Sequence, residues 1–329
     1  MEALSEVLKS VKLDGAMFFN AEFSAPWCAR SVNGCDVTSY LSPKSQRVII
    51  FHLLIEGSGY ARLEGTEERP ISLNAGDILI VPHGDGHLLG NGPPVTPVDR
   101  SQVIKQVLSQ GLKVTRMGGG GEVTKLICGY MSCEPQLSRF FLAGLPPILR
   151  VRIRDDASSQ WLEQSIGHTV DILDASKPGA KVVLAKLSEA LFVETLRRYI
   201  AQLPQEQTGW LGGVRDSEVG RALALLHRKP ASPWTIASLS KEVGMSRSAL
   251  AERWCRFLSE TPMAYLTRWR LQLGAQMLTS THSSVAQIAA EVGYESESSF
   301  NRAFKRTFNL PPAKFRLESK FVSRHAPVH

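Results

Sequence analysis

Side chains that can bind phosphate are concentrated in one short segment near the C-terminus of the sequence. The segment GYESESSFNRAFKR, residues 293–306, begins with two glutamates and ends with a basic cluster that includes Arg302 and Lys305. Acidic side chains stabilise the positive N-terminal end of a helix, and basic side chains further along it can bind phosphates. These residue types predict a helix that contacts a polyanion, with Phe300 and Phe304 forming an apolar stripe for burial.

The excess positive charge of the chain lies in its last third. The 329 residues contain 38 Lys and Arg against 31 Asp and Glu, which gives a net charge of +7. From Trp210 onward there are 17 basic and 9 acidic residues, a net charge of +8, so residues 1–209 carry −1. One basic region beside a nearly neutral remainder indicates a nucleic-acid-binding domain, and the length allows a second domain with its own core.

The basic region contains an internal repeat, residues 234–258 and 284–308. In each copy a small residue stands four positions before a glycine, and a serine and two large apolar residues follow. In a helix-turn-helix the small residue lets the helices cross closely, and the glycine adopts the left-handed turn. The serine caps the second helix, and the apolar pair buries it. The matched positions are Ser240 with Ala289, Gly244 with Gly293, Ser246 with Ser296, Leu250 with Phe300, and Trp254 with Phe304.

A helix that begins at Pro262 and runs for about 17 residues is predicted between the two copies. It would be roughly 25 Å long and could hold two recognition helices about one turn of DNA apart, in successive major grooves. The alternative is a helical bundle with a solvated basic face. Two copies of the pattern inside the basic region favour DNA binding.

Residues 216–316 resemble the DNA-binding domain of the AraC/XylS transcriptional regulators, and GYESESSFNRAFKRTF followed by LPPAKFR is similar to the closing signature of that family. The resemblance implies double-stranded DNA as the partner. It places the base-reading positions on Ser248, Ala251 and Glu252 in the first recognition helix and on Glu297, Ser298 and Arg302 in the second, with Arg247, Arg256 and Lys305 placed for phosphates. Ala251 departs from the long polar residue often found there, which favours methyl contact with thymine or readout through Glu252.

The region before this domain has short β-branched runs separated by Gly, Pro and Asp, which is typical of a small antiparallel barrel or sandwich. Within it, GDILIVPHGDGHLLGN resembles the second motif of the cupin-type sensor domains attached to many of these regulators. The matching positions are Gly76, Pro82, Gly84, His87 and Asn91. The resemblance implies a cupin-like barrel with tight turns at Gly76-Asp77 and at Pro82 to Gly84.

Three histidines are candidates for binding a small-molecule effector in this barrel: His52, His83 and His87. Metal-dependent cupins need two further histidines and a glutamate, but Ile50 stands where the glutamate is expected. We therefore expect no metal and no cofactor. Phe51, Leu53 and Ile80 are expected to line an apolar pocket for the effector.

The five cysteines are scattered and odd in number, which does not fit a disulfide framework in a chain of this size. They are Cys28, Cys35, Cys128, Cys133 and Cys255. Neither the first pair nor the second has zinc-finger spacing, and strand alternation predicts that Cys128 is buried together with Leu126. Redox sensing through Cys28, Cys35 or Cys133 is the alternative, and it requires exposed thiols of low pKa.

The sequence has no run of 18 apolar residues, and its N-terminus lacks the apolar region of a signal peptide. We therefore expect a cytoplasmic protein without a membrane partner. Because nucleotide-binding and hydrolase motifs are absent from the sequence, we also expect no catalytic residues. The competing function is a metal-dependent cupin enzyme, or a cysteine-based redox sensor, fused to a DNA-binding domain.

Together these patterns predict an α+β protein of three regions. Residues 1–150 form a cupin-like effector-sensing barrel, residues 151–209 a helical connector, and residues 210–329 an all-α domain of two helix-turn-helix units. The expected function is transcriptional regulation modulated by a small molecule, and RNA polymerase is a further candidate partner.

The connector is predicted to contain two helices, residues 158–173 and 178–203. Leu184, Leu187 and Leu191 lie near one face of the second helix. This apolar stripe is expected to join two copies of the chain into a homodimer. The alternative is that it packs on the barrel of its own chain.

Overall fold

The structure, a computed structural model, describes residues 4–6, 13–31, 34, 47–99, 114–133, 142, 144–153, 161, 164–166, 179–204 and 206–324. The chain divides into two compact units. One contains Leu13–Glu134 and Leu145–Tyr199, and the other contains Ile200–His329 with two further short segments. No helix among the described residues has the length and hydropathy needed to cross a membrane.

The first unit is built from two antiparallel-rich β-sheets. A six-stranded sheet has the order β11-β6-β3-β10-β1-β9, and a five-stranded sheet has the order β5-β4-β7-β2-β8. The strands are β1 Leu13–Ser24, β2 Trp27–Arg30, β3 Arg47–Glu56, β4 Ser58–Leu63, β5 Ile71–Asn74, β6 Asp77–Val81, β7 His87–Asn91, β8 Val98–Asp99, β9 Thr115–Gly118, β10 Val123–Cys133 and β11 Leu149–Arg152.

One apolar cluster contains side chains from both sheets, so the sheets enclose a common core. On the six-stranded sheet the cluster takes alternate residues, including Ile50, Leu54 and Leu79, because successive side chains of a strand point to opposite faces. Leu126 and Cys128 belong to the same cluster and are buried, which confirms the alternation predicted for β10. The cupin-like sandwich expected from the sequence is therefore present.

The expected apolar lining of this core was assigned to the wrong face of the sheet. Phe51, Leu53 and Ile80 are fully buried, but they alternate with the residues of the shared cluster. Phe51 pairs with Ile80 in register, whereas His52 pairs with Leu79. His52 and Leu79 thus lie on the face toward the second sheet, and Phe51, Leu53 and Ile80 lie on the opposite face.

The two turns predicted from the cupin motif are formed. Gly76 (φ +89°) and Gly84 (φ +72°) both have left-handed backbone, which favours glycine. A Cβ on Gly84 would also lie 2.7 Å from the carbonyl oxygen of Val48, so the backbone of β3 passes too close for a side chain. These glycines fix the ends of β6, the strand that lies beside His52.

Nine helices are described in the rest of the chain, where numbering follows chain order. They are α1 Ala180–Gln202, α2 Gly209–Arg215, α3 Ser217–Arg228, α4 Ile236–Val243, α5 Arg247–Leu258, α6 Pro262–Ser280, α7 Val285–Glu291, α8 Glu297–Phe308 and α9 Pro312–Arg324. Helix α6 starts at Pro262 as predicted and has 19 residues, which makes it about 28 Å long.

The predicted leucine stripe of the connector falls on α1. Leu191 is buried within the chain and Leu187 is partly buried, while Val182 and Val183 are exposed. Burial of Leu191 agrees with packing inside its own chain. The side chain of Leu184, and most of the helix predicted over residues 158–173, lie outside the described residues.

A buried polar network joins three helices of the second unit. Trp210 Nε1 of α2 donates to the hydroxyl oxygen of Tyr265 in α6 over 3.0 Å, and that hydroxyl lies 2.7 Å from Nε2 of His227 in α3. The imidazole of His227 also stacks on Trp269 with ring centroids 4.3 Å apart. Burial lowers the pKa of His227 to about 3, because the apolar surroundings disfavour the charged ring. The neutral ring can accept a hydrogen bond from the Tyr265 hydroxyl at Nε2.

The buried neutral His227 predicts a pH-dependent stability. Its folded pKa of about 3 lies below the ordinary 6.5, so the unfolded chain binds the proton first as the pH falls. We expect His227 to remove about 1.4 kcal/mol of unfolding free energy per pH unit between pH 6 and pH 4. Urea unfolding of the wild type and of His227→Gln, followed by tryptophan fluorescence, measures this slope. Equal slopes for the two proteins would contradict it.

Candidate nucleic-acid interface

The first helix-turn-helix consists of α4 and α5. Thr235 caps α4 in a reciprocal capping box with Ser238, and Gly244 ends it with φ +76°. Ser246 then accepts a hydrogen bond from the backbone N–H of Ala249 and caps α5. These local features confirm the turn and cap predicted from the repeat.

The second helix-turn-helix, α7 and α8, repeats the same construction. Ser284 and Gln287 form a capping box at the start of α7, Gly293 turns the chain at φ +90°, and Ser296 caps α8. In both units the two large apolar side chains of the second helix are completely buried, as predicted. They are Leu250 and Trp254 in α5, and Phe300 and Phe304 in α8.

Burial of one face leaves the polar face of each recognition helix toward solvent. Eight of the nine residues predicted to contact DNA are exposed, and Ala251 is partly exposed. The exposed residues are Arg247, Ser248, Glu252 and Arg256 on α5, and Glu297, Ser298, Arg302 and Lys305 on α8. Ser248, Ala251 and Glu252 follow helical spacing and share one side of α5. The exposed Cys255, which sequence reasoning did not select, continues this row.

Arg253 looks like another candidate for DNA contact, but its guanidinium faces the protein. Its Nε lies 3.0 and 2.9 Å from the two carboxylate oxygens of Asp216, and its Nη2 also reaches Glu218 at 3.0 Å. Asp216 additionally caps α3 by accepting from the N–H of Val219. The hydrogen bonds that Arg253 donates to the Asp216 carboxylate raise the pKa of Arg253. This ion pair anchors the first recognition helix to α3, and no local sequence pattern signals a contact between residues 37 positions apart.

A cavity of about 270 Å³ opens beside the second recognition helix. Arg302 and Lys305 line it from α8, and Val285 and Pro312 line it from the first turns of α7 and α9. Glu297 lines it as well, so two exposed cations and one carboxylate share this concave surface.

Helix α6 is shared by both helix-turn-helix units. Its first half contributes Tyr265, whose ring centroid lies 5.4 Å from that of Trp254 in α5, and Trp269, which stacks on His227 of α3. Its second half contributes Leu271, Ala275 and Leu278 to a cluster with Phe300 and Phe304 of the second unit. One helix thus carries both recognition helices, as the sequence predicted.

The candidate histidines of the barrel do not form a single group. Nε2 of His52 and Nε2 of His87 lie 2.7 Å apart, and both rings are fully buried. Nδ1 of His87 lies 2.8 Å from the carbonyl oxygen of Asp85 and must carry a proton there, since a carbonyl only accepts. In neutral rings His52 Nε2 then donates to His87 Nε2. His83 is separate, with Nε2 3.1 Å from the carbonyl oxygen of Leu145.

The chemistry of the barrel interior is that of a hydrogen-bonded histidine pair in an apolar core. Ile50, at the position of the expected glutamate, is part of the apolar cluster. Cys128 pairs in register with His52 on the neighbouring strand and is buried, as is Cys28. Within the residues that the structure describes, no three His, Cys, Asp or Glu side chains converge as metal ligands. Cys35 and the side chain of Cys133 lie outside those residues.

Comparison with known proteins covers both units. A family described as Cupin matches residues 2–201, and a family described as Helix-turn-helix domain matches residues 239–318. A putative AraC-like transcription regulator of Streptomyces lividans is 34% identical over 277 residues, which cover 82% of this chain and 87% of that protein. The HTH-type transcriptional regulator AlkR of Acinetobacter baylyi is 28% identical over 322 residues, 97% of this chain and 100% of that protein.

Among solved structures, the DNA-binding domain of AdpA in complex with a target DNA is similar to part of the chain. The match covers 33% of this chain and 98% of that chain, at 19% identity and a TM-score of 0.32.

Arg253 is bound to Asp216 whereas Arg256 is exposed, so we expect different results from their removal. Arg253→Met should lower the unfolding free energy by about 1–2 kcal/mol, because the buried carboxylate of Asp216 loses its partner. Arg256 is exposed and lies one turn after Arg253 in the same helix. Arg256→Met should leave the unfolding free energy within about 0.5 kcal/mol of the wild-type value. Urea unfolding measures both. A stability loss for Arg256→Met as large as that for Arg253→Met would contradict the assignment.

Proposed function

The chain belongs to the AraC-like family of transcriptional regulators, and on that premise we propose that both recognition helices read bases in double-stranded DNA. The family fixes the function as DNA-binding transcriptional regulation. The proposal concerns the residues that read the sequence, the signal that controls them and the partners.

One observation carries the assignment of residues. Both helix-turn-helix units bury the corresponding apolar pair of the recognition helix and leave its polar face exposed. In α8 the exposed face presents Glu297, Ser298 and Arg302, of which arginine can bind the O6 and N7 atoms of guanine with two hydrogen bonds. In α5 it presents Ser248, Ala251 and Glu252, with Ala251 suited to a thymine methyl group.

Phosphate binding is proposed for the exposed cations outside these rows. Arg247 stands at the first position of α5 and Arg256 near its end, and Lys305 lies beside the cavity at α8. Such contacts hold the protein in register on the duplex without selecting a sequence. They also make affinity depend on salt, because each neutralised phosphate releases counterions.

The cupin unit is proposed to bind a small-molecule effector at the His52–His87 pair. Both rings end in the core between the two sheets, where a polar ligand group could replace one partner of their hydrogen bond. Residues 1–150 would form this sensor, residues 151–209 the connector and residues 210–329 the DNA-binding domain. Effector binding would alter DNA binding only if it favours one arrangement of the protein over another.

Two further partners follow from this function. A homodimer is proposed through the connector, where Val182 and Val183 of α1 are exposed apolar residues. A second linked DNA-binding domain would raise the effective local concentration of the first at a paired operator. RNA polymerase is the proposed partner through which a bound regulator changes transcription.

The proposed base and phosphate contacts on α8 can be separated by substitution. Arg302→Ala should weaken specific binding by about 1–3 kcal/mol and relax preference at one base position. Lys305→Ala should weaken binding to all sequences alike and lower the salt slope by about one unit. Fluorescence anisotropy with cognate and substituted duplexes at several salt concentrations measures both. An Arg302→Ala protein with unchanged affinity and preference would refute base reading by this residue.

The histidine pair gives the prediction for the sensor. His87→Ala removes the acceptor of the His52 hydrogen bond, so we expect a metabolite that raises the Tm of the wild type to have no effect on the variant. His83→Ala is the control and should keep the response, because His83 bonds Leu145 instead. Operator affinity without effector should stay within about threefold for both variants. An unchanged response of His87→Ala would exclude the pair as the binding site.

A further inference from the structure

The loop between α3 and α4 is held by one arginine of the shared helix α6. Nε of Arg270 donates to the carbonyl oxygen of Pro230 over 2.7 Å, and Nη2 donates to the carbonyl oxygen of Ser232 over 2.8 Å. The two carbonyls flank Ala231. A guanidinium is planar, so two hydrogen bonds from one fork fix both the position and the direction of this loop.

The same loop also touches the second helix-turn-helix. A Cβ on Gly293, in the turn between α7 and α8, would lie 2.6 Å from Cα of Ala231 and 2.9 Å from its carbonyl oxygen. It would also lie 3.0 Å from Cζ of Arg270. The backbone of the second turn therefore rests directly against the loop that leads into the first unit.

The corresponding turn of the first helix-turn-helix makes no such contact. Gly244 has a similar left-handed backbone at φ +76°, yet a Cβ built on it would have no heavy atom within 4 Å. Both turns need a glycine for their backbone conformation, but only at Gly293 does the lack of a side chain permit an approach to another segment. The difference shows that the contact belongs to the junction of the two units and is not part of the helix-turn-helix pattern.

Arg270 is placed at this junction at a cost in hydration. Partial burial lowers the pKa of its guanidinium, and its two protein hydrogen bonds go to neutral carbonyls. Two hydrogen bonds from a charged donor offset part of the desolvation. A methionine could fill the space but has no donor for either carbonyl.

We propose that Arg270 is a positioning residue that sets the spacing between the two DNA half-sites. It fixes the loop at Ala231, and the turn at Gly293 rests on that loop, so the second unit is held at a second point besides α6. The inference rests on the proposed reading of DNA by both recognition helices.

A second point of support is needed because one helix alone does not fix two recognition helices. Helices bend, and a unit attached only through α6 could tilt about it. Moving a half-site by one base pair changes its position by about 3.4 Å and turns it by about 35° around the DNA axis. Two helix-turn-helix units that are held together at two points resist both displacements, so the DNA-binding domain binds well at one spacing only.

The experiment is in vitro selection from duplexes with a randomised central region, carried out with the full-length protein. The wild type should recover two half-site motifs at one fixed spacing. Arg270→Met and Gly293→Ala should recover the same two motifs with spacings one base pair longer and shorter as well. By fluorescence anisotropy, one added base pair should weaken binding about 30-fold for the wild type and less than about fivefold for these variants.

Two matched variants control for general loss of stability. Arg316 makes the same type of two-pronged contact, with Nε donating to the carbonyl oxygen of Leu278 and Nη2 to that of Ser283. Both carbonyls lie just before the second helix-turn-helix. Arg316→Met should bind more weakly yet keep the wild-type spacing. Gly244→Ala strains a left-handed turn without an inter-unit contact and should also keep it.

The outcomes distinguish this inference from the function on which it rests. If the wild type recovers only one half-site motif, reading by two helices is wrong and the inference falls with it. If the wild type recovers two motifs but Arg270→Met keeps its spacing preference, only the inference is overturned. Altered half-site motifs in Arg270→Met would equally overturn it, because the residue would then support the fold of one unit.

Discussion

Helix α6 must be buried on two sides at once, and the DNA-binding unit depends on this constraint. The helices α4 and α7 have 8 and 7 residues, which is too short for stability in isolation. Helix α7 is held because Ile288 is buried in a cluster to which α6 contributes Leu271, Ala275 and Leu278, and Leu239 of α4 is fully buried as well. On the second side the approach is especially close, since a Cβ on Gly274 would lie 2.8 Å from the ring of Phe300. A larger residue there would push the recognition helix away from its support.

The parts of this unit that sequence reasoning predicted are those with a local physical cause. Ser246 and Ser296 cap helices through hydrogen bonds to backbone groups three residues away, so the cap is visible in any short window. The left-handed turn requires glycine, and burial of one helix face requires apolar residues four positions apart. Exposure of the predicted DNA-contacting residues followed from the same helical periodicity.

The parts that could not be predicted depend on contacts between distant segments. Arg253 is a basic residue on a recognition helix and is indistinguishable in sequence from Arg256, yet Asp216 turns it toward the protein. In the barrel, strand alternation predicted two faces but did not say which one is enclosed, and Phe51 was assigned to the wrong side for that reason. The pairing of His52 with His87 joins strands of different sheets and has no counterpart in local sequence.

The contacts that hold the two helix-turn-helix units together limit how an effector can act on the DNA-binding domain. The polar network of Trp210, Tyr265 and His227 ties α2 and α3 to α6, and the loop at Ala231 contacts both Arg270 and the turn at Gly293. With both units fixed to one helix, a signal that changed their relative angle would have to break buried hydrogen bonds and close packing, each of which costs free energy. Making the whole DNA-binding domain accessible or inaccessible to DNA costs less free energy, because the contacts within the domain stay intact. The proposed effector is therefore expected to change the accessibility of the DNA-binding domain to DNA. The preference for an operator sequence is expected to depend on that domain alone.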